Sequence, residues 1–249
     1  MAWGQSAHGD DSSGWGAVVS PFVWASSLGG HASVAGISTP VHAPFRDAVK
    51  NLDGVFMGNI ELKNRQLGGF FVDGVHIDAS ATEQLLGLRA KVSVTSTTGA
   101  LGAFFRAYSR PLDGLNAFGE TRSFAIEPTA GLRWTRLSAS IDLPAVGAYE
   151  RKRVSWVDPF VGVRISADLN DRWNIGSEAD VGGFSPHVSS AWNAQAFLGY
   201  RFYLATHPTV FRIGYRALSQ NFHTRDFTNH RFVYDIVQKG PVIGVSMMF

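Results

Sequence analysis

The chain has 249 residues; 17% are charged, 12% are aromatic and 27 are glycine, and 22 basic residues stand against 20 acidic ones for a net charge of +2. Charge is scarcer than the roughly one quarter usual in soluble domains, no run of about eighteen apolar residues offers a helical membrane span, and the basic residues form no stripe that would bind nucleic acid. Cysteine is absent, which excludes a disulfide framework, a thiolate metal site and a cysteine nucleophile.

Residues 1–13 read as a polar lead, with Asp10 and Asp11 as solvated acids, and residues 14–249 as one domain. The start lacks the basic head and apolar core of a signal peptide, so an exported protein would already have lost one. From Trp15 an alternation begins: Ala17, Val19, Pro21 and Val23 share one face and Ser20 lies on the other. The glycine-rich stretch from Ser26 to Gly30 predicts a tight tip, followed by a second strand to about Phe45. Residues 44–53, PFRDAVKNLD, form the one stretch of helical character.

Strands are predicted over 54–65 and 68–79 about the turn at Leu67 and Gly68, with Phe56, Ile60 and Leu62 outward and Asn59, Glu61 and Lys63 inward. The next two strands set Val92 and Val94 against Arg89, Lys91, Ser93 and Thr95, then Leu101, Ala103 and Phe105 against Arg106 and Arg110. After a loop at 111–120 comes a strand with Leu132 and Trp134 outside and Glu127, Thr129, Gly131 and Arg133 inside. Beyond a loop near 146–152, Val157, Val161, Val163 and Ile165 alternate with Asp158, Gly162, Arg164 and Ser166. The turn at 169–172 leads to a strand carrying Asn174, Glu178 and Asp180 inward; later strands turn Asn193, Gln195, Arg201, Arg212 and Arg216 the same way. A loop at 220–230 precedes the last strand, GPVIGVSMMF, in which Pro241, Ile243, Val245, Met247 and Phe249 form one apolar face.

This amounts to about twelve antiparallel strands, long enough to cross a bilayer at a tilt. Closing them into an up-and-down transmembrane barrel leaves no open edge in the membrane. Trp15, Trp134, Trp156, Trp173, Trp192 and Tyr203 near strand ends are candidates for the interfacial aromatic girdles. Short turns at 169–172 and 205–208 suit the periplasmic end, with both termini, and the loops at 144–152 and 220–230 suit the outside.

One motif occurs twice: Glu127-Pro128 with Gly131 and Arg133, and Asp158-Pro159 with Gly162 and Arg164. The spacing puts acid, glycine and arginine on one face. Each proline lacks a ladder donor and should mark an irregularity, and each inward glycine makes room for a long neighbour. The expected lumen lining is Arg89, Lys91, Arg106, Arg133, Arg164, Arg201, Arg212 and Arg216, with Glu127, Asp158, Glu178 and Asp180, supplemented by Arg110, Glu61 and Asp73. Unpaired buried ions cost several kcal/mol, so these must pair, meet water or hold a charged solute. A narrow, anion-leaning, porin-like channel for small anionic solutes and a sealed barrel filled by paired charges both follow. A lipid-modifying enzyme is the weakest reading, since its best candidate, His187 beside Ser185 or Ser189, reads better as a solvated loop histidine. No catalytic residue, metal site or cofactor is assigned.

The stretches SPFVWASSLGG, NLDGVFMG, WVDPFVGVRISADLNDRWNIGSEADVGGF, FLGYRF, IGYRALS and GPVIGVSMMF resemble uncharacterised outer-membrane β-barrel proteins of proteobacteria. The resemblance implies a Gram-negative outer membrane, contact with its lipids, and recognition of the closing strand, Val245, Met247 and Phe249, by the barrel-assembly machinery. It implies no activity for named residues, because one fold hosts many functions.

Overall fold

A computed structural model describes residues 14–34, 37–43, 52–64, 66–85, 88–143, 148–185, 188–225 and 231–249. The lead at 1–13, most of the predicted helical stretch at 44–53, His187 and the tips of the two external loops lie outside the described residues.

The described chain is all β. Its strands are β1 (Trp15–Trp24), β2 (Ser27–Val34), β3 (Ile37–Ala43), β4 (Leu52–Asn64), β5 (Gly68–Leu85), β6 (Leu88–Phe105), β7 (Tyr108–Leu115), β8 (Thr121–Leu143), β9 (Ala148–Asp168), β10 (Trp173–Gly182), β11 (Val188–Leu204), β12 (His207–Arg225) and β13 (Arg231–Met248). Every pairing is antiparallel. Ten strands close a ring in the order β1, β4, β5, β6, β8, β9, β10, β11, β12, β13 and back to β1, while β2 and β3 stand outside it.

Register explains how about twelve predicted strands become this ring. β2 follows β1 along β13 without a shift: Trp24 faces Val242 and Ser27 faces Lys239. The predicted tip at Ser26–Gly30 is therefore strand from Ser27 on; glycine tolerates the positive φ of Gly30, where a Cβ would run into the Asp235 backbone. The two strands expected on either side of residue 98 are one, β6, paired with β5 from end to end. Of the expected loops at 111–120, 146–152 and 220–230, residues 111–115, 148–152 and 220–225 are strand, because β7, β9 and β12 reach into them. Ladder pairing there satisfies the backbone even where side-chain alternation fades.

Alternation fixes which face meets lipid. Phe56, Ile60, Leu62, Phe70, Val72, Leu101, Leu132, Val161, Ile213 and Ile243 are each about half exposed or more. A belt of such size would be an aggregation surface in water and is the lipid-facing wall of a transmembrane barrel. At the terminal end, which holds the start of β1 and Phe249, Trp15 stacks on Phe70 with ring centroids 6.3 Å apart and Trp173 meets Tyr200 edge-on at 5.0 Å. Trp134, Trp192 and Tyr203 are also exposed, as expected of girdle residues. Trp156 is not: it points inward, 6% exposed, and stacks on Phe222 at 4.3 Å.

The connections at the terminal end are short, notably at 169–172 and 205–206. Strands β5, β6, β8, β9, β12 and β13 extend well past the belt at the other end, which is the external one.

Candidate functional site: the charged lumen

Inward positions carry arginine and carboxylate on nearly every strand, and the structure joins most of them. Arg133 on β8 donates to Asp180 on β10 at 2.6 Å, and Asp180 accepts a second bond from Asn193 on β11 at 3.0 Å. Asn193 accepts from Arg216 on β12 at 3.1 Å, and Arg216 donates to Asp73 on β5 at 2.9 Å. One continuous belt of polar contacts thus crosses the lumen from wall to wall. A second belt runs from Gln195, which donates to Glu178 at 3.0 Å, through Arg164, 3.2 Å from Glu178, to Glu61 on β4 at 3.0 Å. Arg106 binds Glu127 at 2.9 Å, and Arg201 binds Asp168.

Aromatic rings fill the spaces between these belts. Arg133 lies over Phe160 at 4.9 Å, Arg164 over Phe71 and Phe104 at 4.4 and 4.6 Å, and Arg216 over Trp24 at 5.1 Å. A planar guanidinium can stack on an aromatic face and hydrogen-bond a carboxylate at once. Nearer the outside, Trp156, Phe222, Tyr234, Ile236, Val188 and Ala191 form an apolar cluster inside the barrel. Gln220 reaches across from β12 to the Thr135 hydroxyl at 2.8 Å.

The repeated motif has a structural reason. β8 and β9 pair so that its two copies face each other head to tail, with Glu127 opposite Arg164 and Arg133 opposite Asp158. The side chains then reach past their direct neighbours: Arg133 to Asp180, Arg164 to Glu61 and Glu178, Glu127 to Arg106. Asp158 is fully buried and accepts the Gly183 backbone N–H at 2.9 and 3.1 Å.

The glycines make the expected room: a Cβ on Gly131 would lie 2.7 Å from the Phe160 ring, and one on Gly162 the same distance from the Asp180 Cβ. The prolines sit where a neighbouring ladder lapses. Pro128 falls where β8 changes partner from β6 to β7, and Pro159 lies past the last β9–β10 pair, Val161 with Val181.

One inward assignment fails. Arg110 is exposed, because a one-residue register shift between β6 and β7 at Arg106–Ala107 reverses the alternation beyond it. The side chains of Arg89 and Lys91 lie outside the described residues. Ser166 keeps to the inward series between Arg164 and Asp168, opposite Ala125 and Gly176, and is exposed because Gly176 leaves the space beside it open. Arg212 does face inward, but no carboxylate among the described residues lies within ion-pair distance of it.

Sequence reasoning missed Asp168 as the partner of Arg201. It also missed the inward aromatics Phe71, Phe104 and Phe160, whose even spacing from the inward charges was the available signal. The Ser185 hydroxyl, one of the two serines considered beside His187, donates to the Val157 carbonyl at 2.6 Å.

Outside the membrane, the Arg172 guanidinium in the terminal-end turn donates to the Tyr200 hydroxyl at 3.1 Å, and that bond raises it above the usual arginine range.

No family model and no curated protein matches the chain. Among solved structures it is similar to Ail, the attachment invasion locus protein of Yersinia pestis, in complex with the heparin analogue sucrose octasulfate (8% identity, TM-score 0.41, covering 95% of this chain and 99% of that one). It is similar also to Neisserial surface protein A (13%, 0.28, 95% and 98%) and to a Pseudomonas aeruginosa FadL homologue (8%, 0.29, 94% and 90%). At such scores these likenesses carry no argument. The closed ring and its apolar belt, the build of a bacterial outer-membrane β-barrel, stand on their own.

Proposed function

We propose that the protein is a sealed outer-membrane barrel, a passive element of the Gram-negative envelope whose lumen is closed by its own side chains. The observation that carries this reading is the belt from Arg133 through Asp180, Asn193 and Arg216 to Asp73, which spans the interior between opposite walls. Arg133, Asp180, Asn193 and Arg216 are each 8% exposed or less, so the belt and the rings packed on it leave these groups little water. Arginines already committed to carboxylates do not offer a file of sites to a passing anion.

A narrow anion-leaning channel is the second reading, and Arg212 favours it. This inward cation holds no described carboxylate and lies between Gly199 and Gly244 in register, where neighbouring side chains take up no space.

Single-channel recording in a planar bilayer, on protein whose folding is verified by its heat-dependent gel mobility, decides between them. The sealed barrel predicts insertion without discrete conductance steps. Steady anion-selective steps would overturn it, and their loss in Arg212→Ala would establish the channel reading in its place.

A further inference from the structure

The described arginines of this barrel lie in three places: the interior, the terminal rim and the outer face of β8 and β9. Inside, most are paired and stacked. On the outer face of β8 and β9, just beyond the belt, three are exposed: Arg136, Arg151 and Arg153. The lipid-facing series on β8 runs Leu132, Trp134, Arg136, and on β9 it runs Val157, Ser155, Arg153, Arg151. The apolar run ends at the same level on both strands, since Trp134 pairs with Val157; arginine follows at once on β8, and on β9 after Ser155, which pairs with Arg136.

Register brings the three cations together. Ser138 lies opposite Arg153 and Ser140 opposite Arg151, so the outward surface reads as a lattice of arginine and serine. Arg151 and Arg153 are two residues apart on one strand, about 7 Å, and Arg136 lies diagonally from Arg153. The guanidinium of Arg136 sits over the Trp134 ring at 5.2 Å, and Arg151 donates to the Ser138 hydroxyl at 3.0 Å. No described carboxylate pairs with any of the three; Asp142, farther out on β8, is not within ion-pair distance. Like charges on adjacent strands repel, and the arrangement is relieved by an anion with several acceptor oxygens, which arginine grips in paired bonds.

We propose that this face of β8 and β9 binds the phosphate groups of a phosphorylated glycolipid in the outer leaflet, with its acyl chains along the belt below Trp134 and its phosphates on Arg136, Arg151 and Arg153. The position selects a lipid over a soluble anion, because Arg136 borders the hydrocarbon belt directly, with Arg153 and Arg151 just beyond it. This inference rests on the barrel's place in an outer membrane with its terminal end inward; it is independent of whether the lumen conducts.

The test is native mass spectrometry of the folded protein in detergent micelles, titrated with diphosphoryl lipid A, with its dephosphorylated form, and with inorganic phosphate. Saturable retention of the diphosphoryl form is expected, with at least tenfold weaker retention of the dephosphorylated form. In R136A/R151A/R153A, affinity for the diphosphoryl form should fall about tenfold or more; the corresponding triple lysine variant should keep part of it. An equal number of arginines removed at the other rim, R110A/R122A/R172A, should leave binding unchanged. All substituted groups of the first set are exposed, so folding, checked by heat-dependent mobility, is expected to survive. Equal retention of the two lipid forms, undiminished binding in R136A/R151A/R153A, or inorganic phosphate bound as tightly as the lipid would each overturn the proposal.

Discussion

Arg216 concentrates the physics of the lumen in one side chain. It binds Asn193 and Asp73 and lies over Trp24, and it is 6% exposed. Its charge is tolerable there because Asp73 compensates it. Removing that partner in Asp73→Ala leaves a buried cation without its carboxylate and should cost about 3–5 kcal/mol. Urea unfolding in lipid vesicles would measure it. If the pair matters for mutual compensation rather than for net attraction, replacing both groups with apolar side chains, Asp73→Leu with Arg216→Met, should restore most of the loss. A double variant no more stable than Asp73→Ala would mean that the polar belt itself holds the walls together. The individual charges were legible in the sequence because alternation assigns them a face. Their partners were not: Arg216 is 143 residues from Asp73 in the chain, and only the ring order brings β12 opposite β5.

At the scale of strands, the β8–β9 pair is where the fold is most tightly specified. Its register runs without interruption from Phe124 with Ala167 to Leu143 with Ala148. Gly131 lies opposite Phe160, whose ring occupies the space a Cβ would need and is held in turn by Arg133 and Phe71. Gly131→Ala should therefore destabilise the barrel by about 1–3 kcal/mol, the usual cost of overpacking. Gly176→Ala on β10, where a Cβ meets nothing within 4 Å, provides the control and should be near neutral. Equal unfolding midpoints for the two variants would show that both Phe160 and the Leu101–Gly102 backbone, which a Cβ would also meet, can shift.

The same scale shows what alternation conveys and what it hides. It placed the inward series Glu127, Thr129, Gly131 and Arg133 correctly, because that stretch contains no irregularity. It misplaced Arg110, because a single residue added at Arg106–Ala107 inverts the faces of β7, and a bulge leaves no periodic mark. It divided β6 in two, because Ser93 to Thr98 and Gly99 give neither face an apolar majority. Glycine and serine at 26–30 looked like a turn for the same reason: local composition cannot distinguish a chain that bends from one that continues along an existing partner.

For the molecule as a whole, closure is the condition on which the other features depend. An open β1 or β13 would expose unpaired N–H and C=O groups to hydrocarbon, where each costs several kcal/mol. The seam is made by β1 on β13: the Ala17 N–H donates to the Phe249 carbonyl at 3.1 Å and the Phe249 N–H to the Ala17 carbonyl at 2.9 Å. Inside the barrel, the Ser20 and Ser246 hydroxyls meet at 2.7 Å across the same two strands. Pro21 already stands in β1 and Pro241 in β13, so the seam has few donors to spare. Ala17→Pro removes one of the two bonds that fasten Phe249, and should slow folding into vesicles and lower the temperature at which the heat-resistant gel form is lost. Ala17→Ser, which keeps the N–H, should behave like the native chain. If the proline variant folds and melts as the native protein does, the ring is held by its interior belts and the seam is dispensable; if it fails while Ala17→Ser succeeds, closure comes first and the charged lumen packs only within a ring already shut.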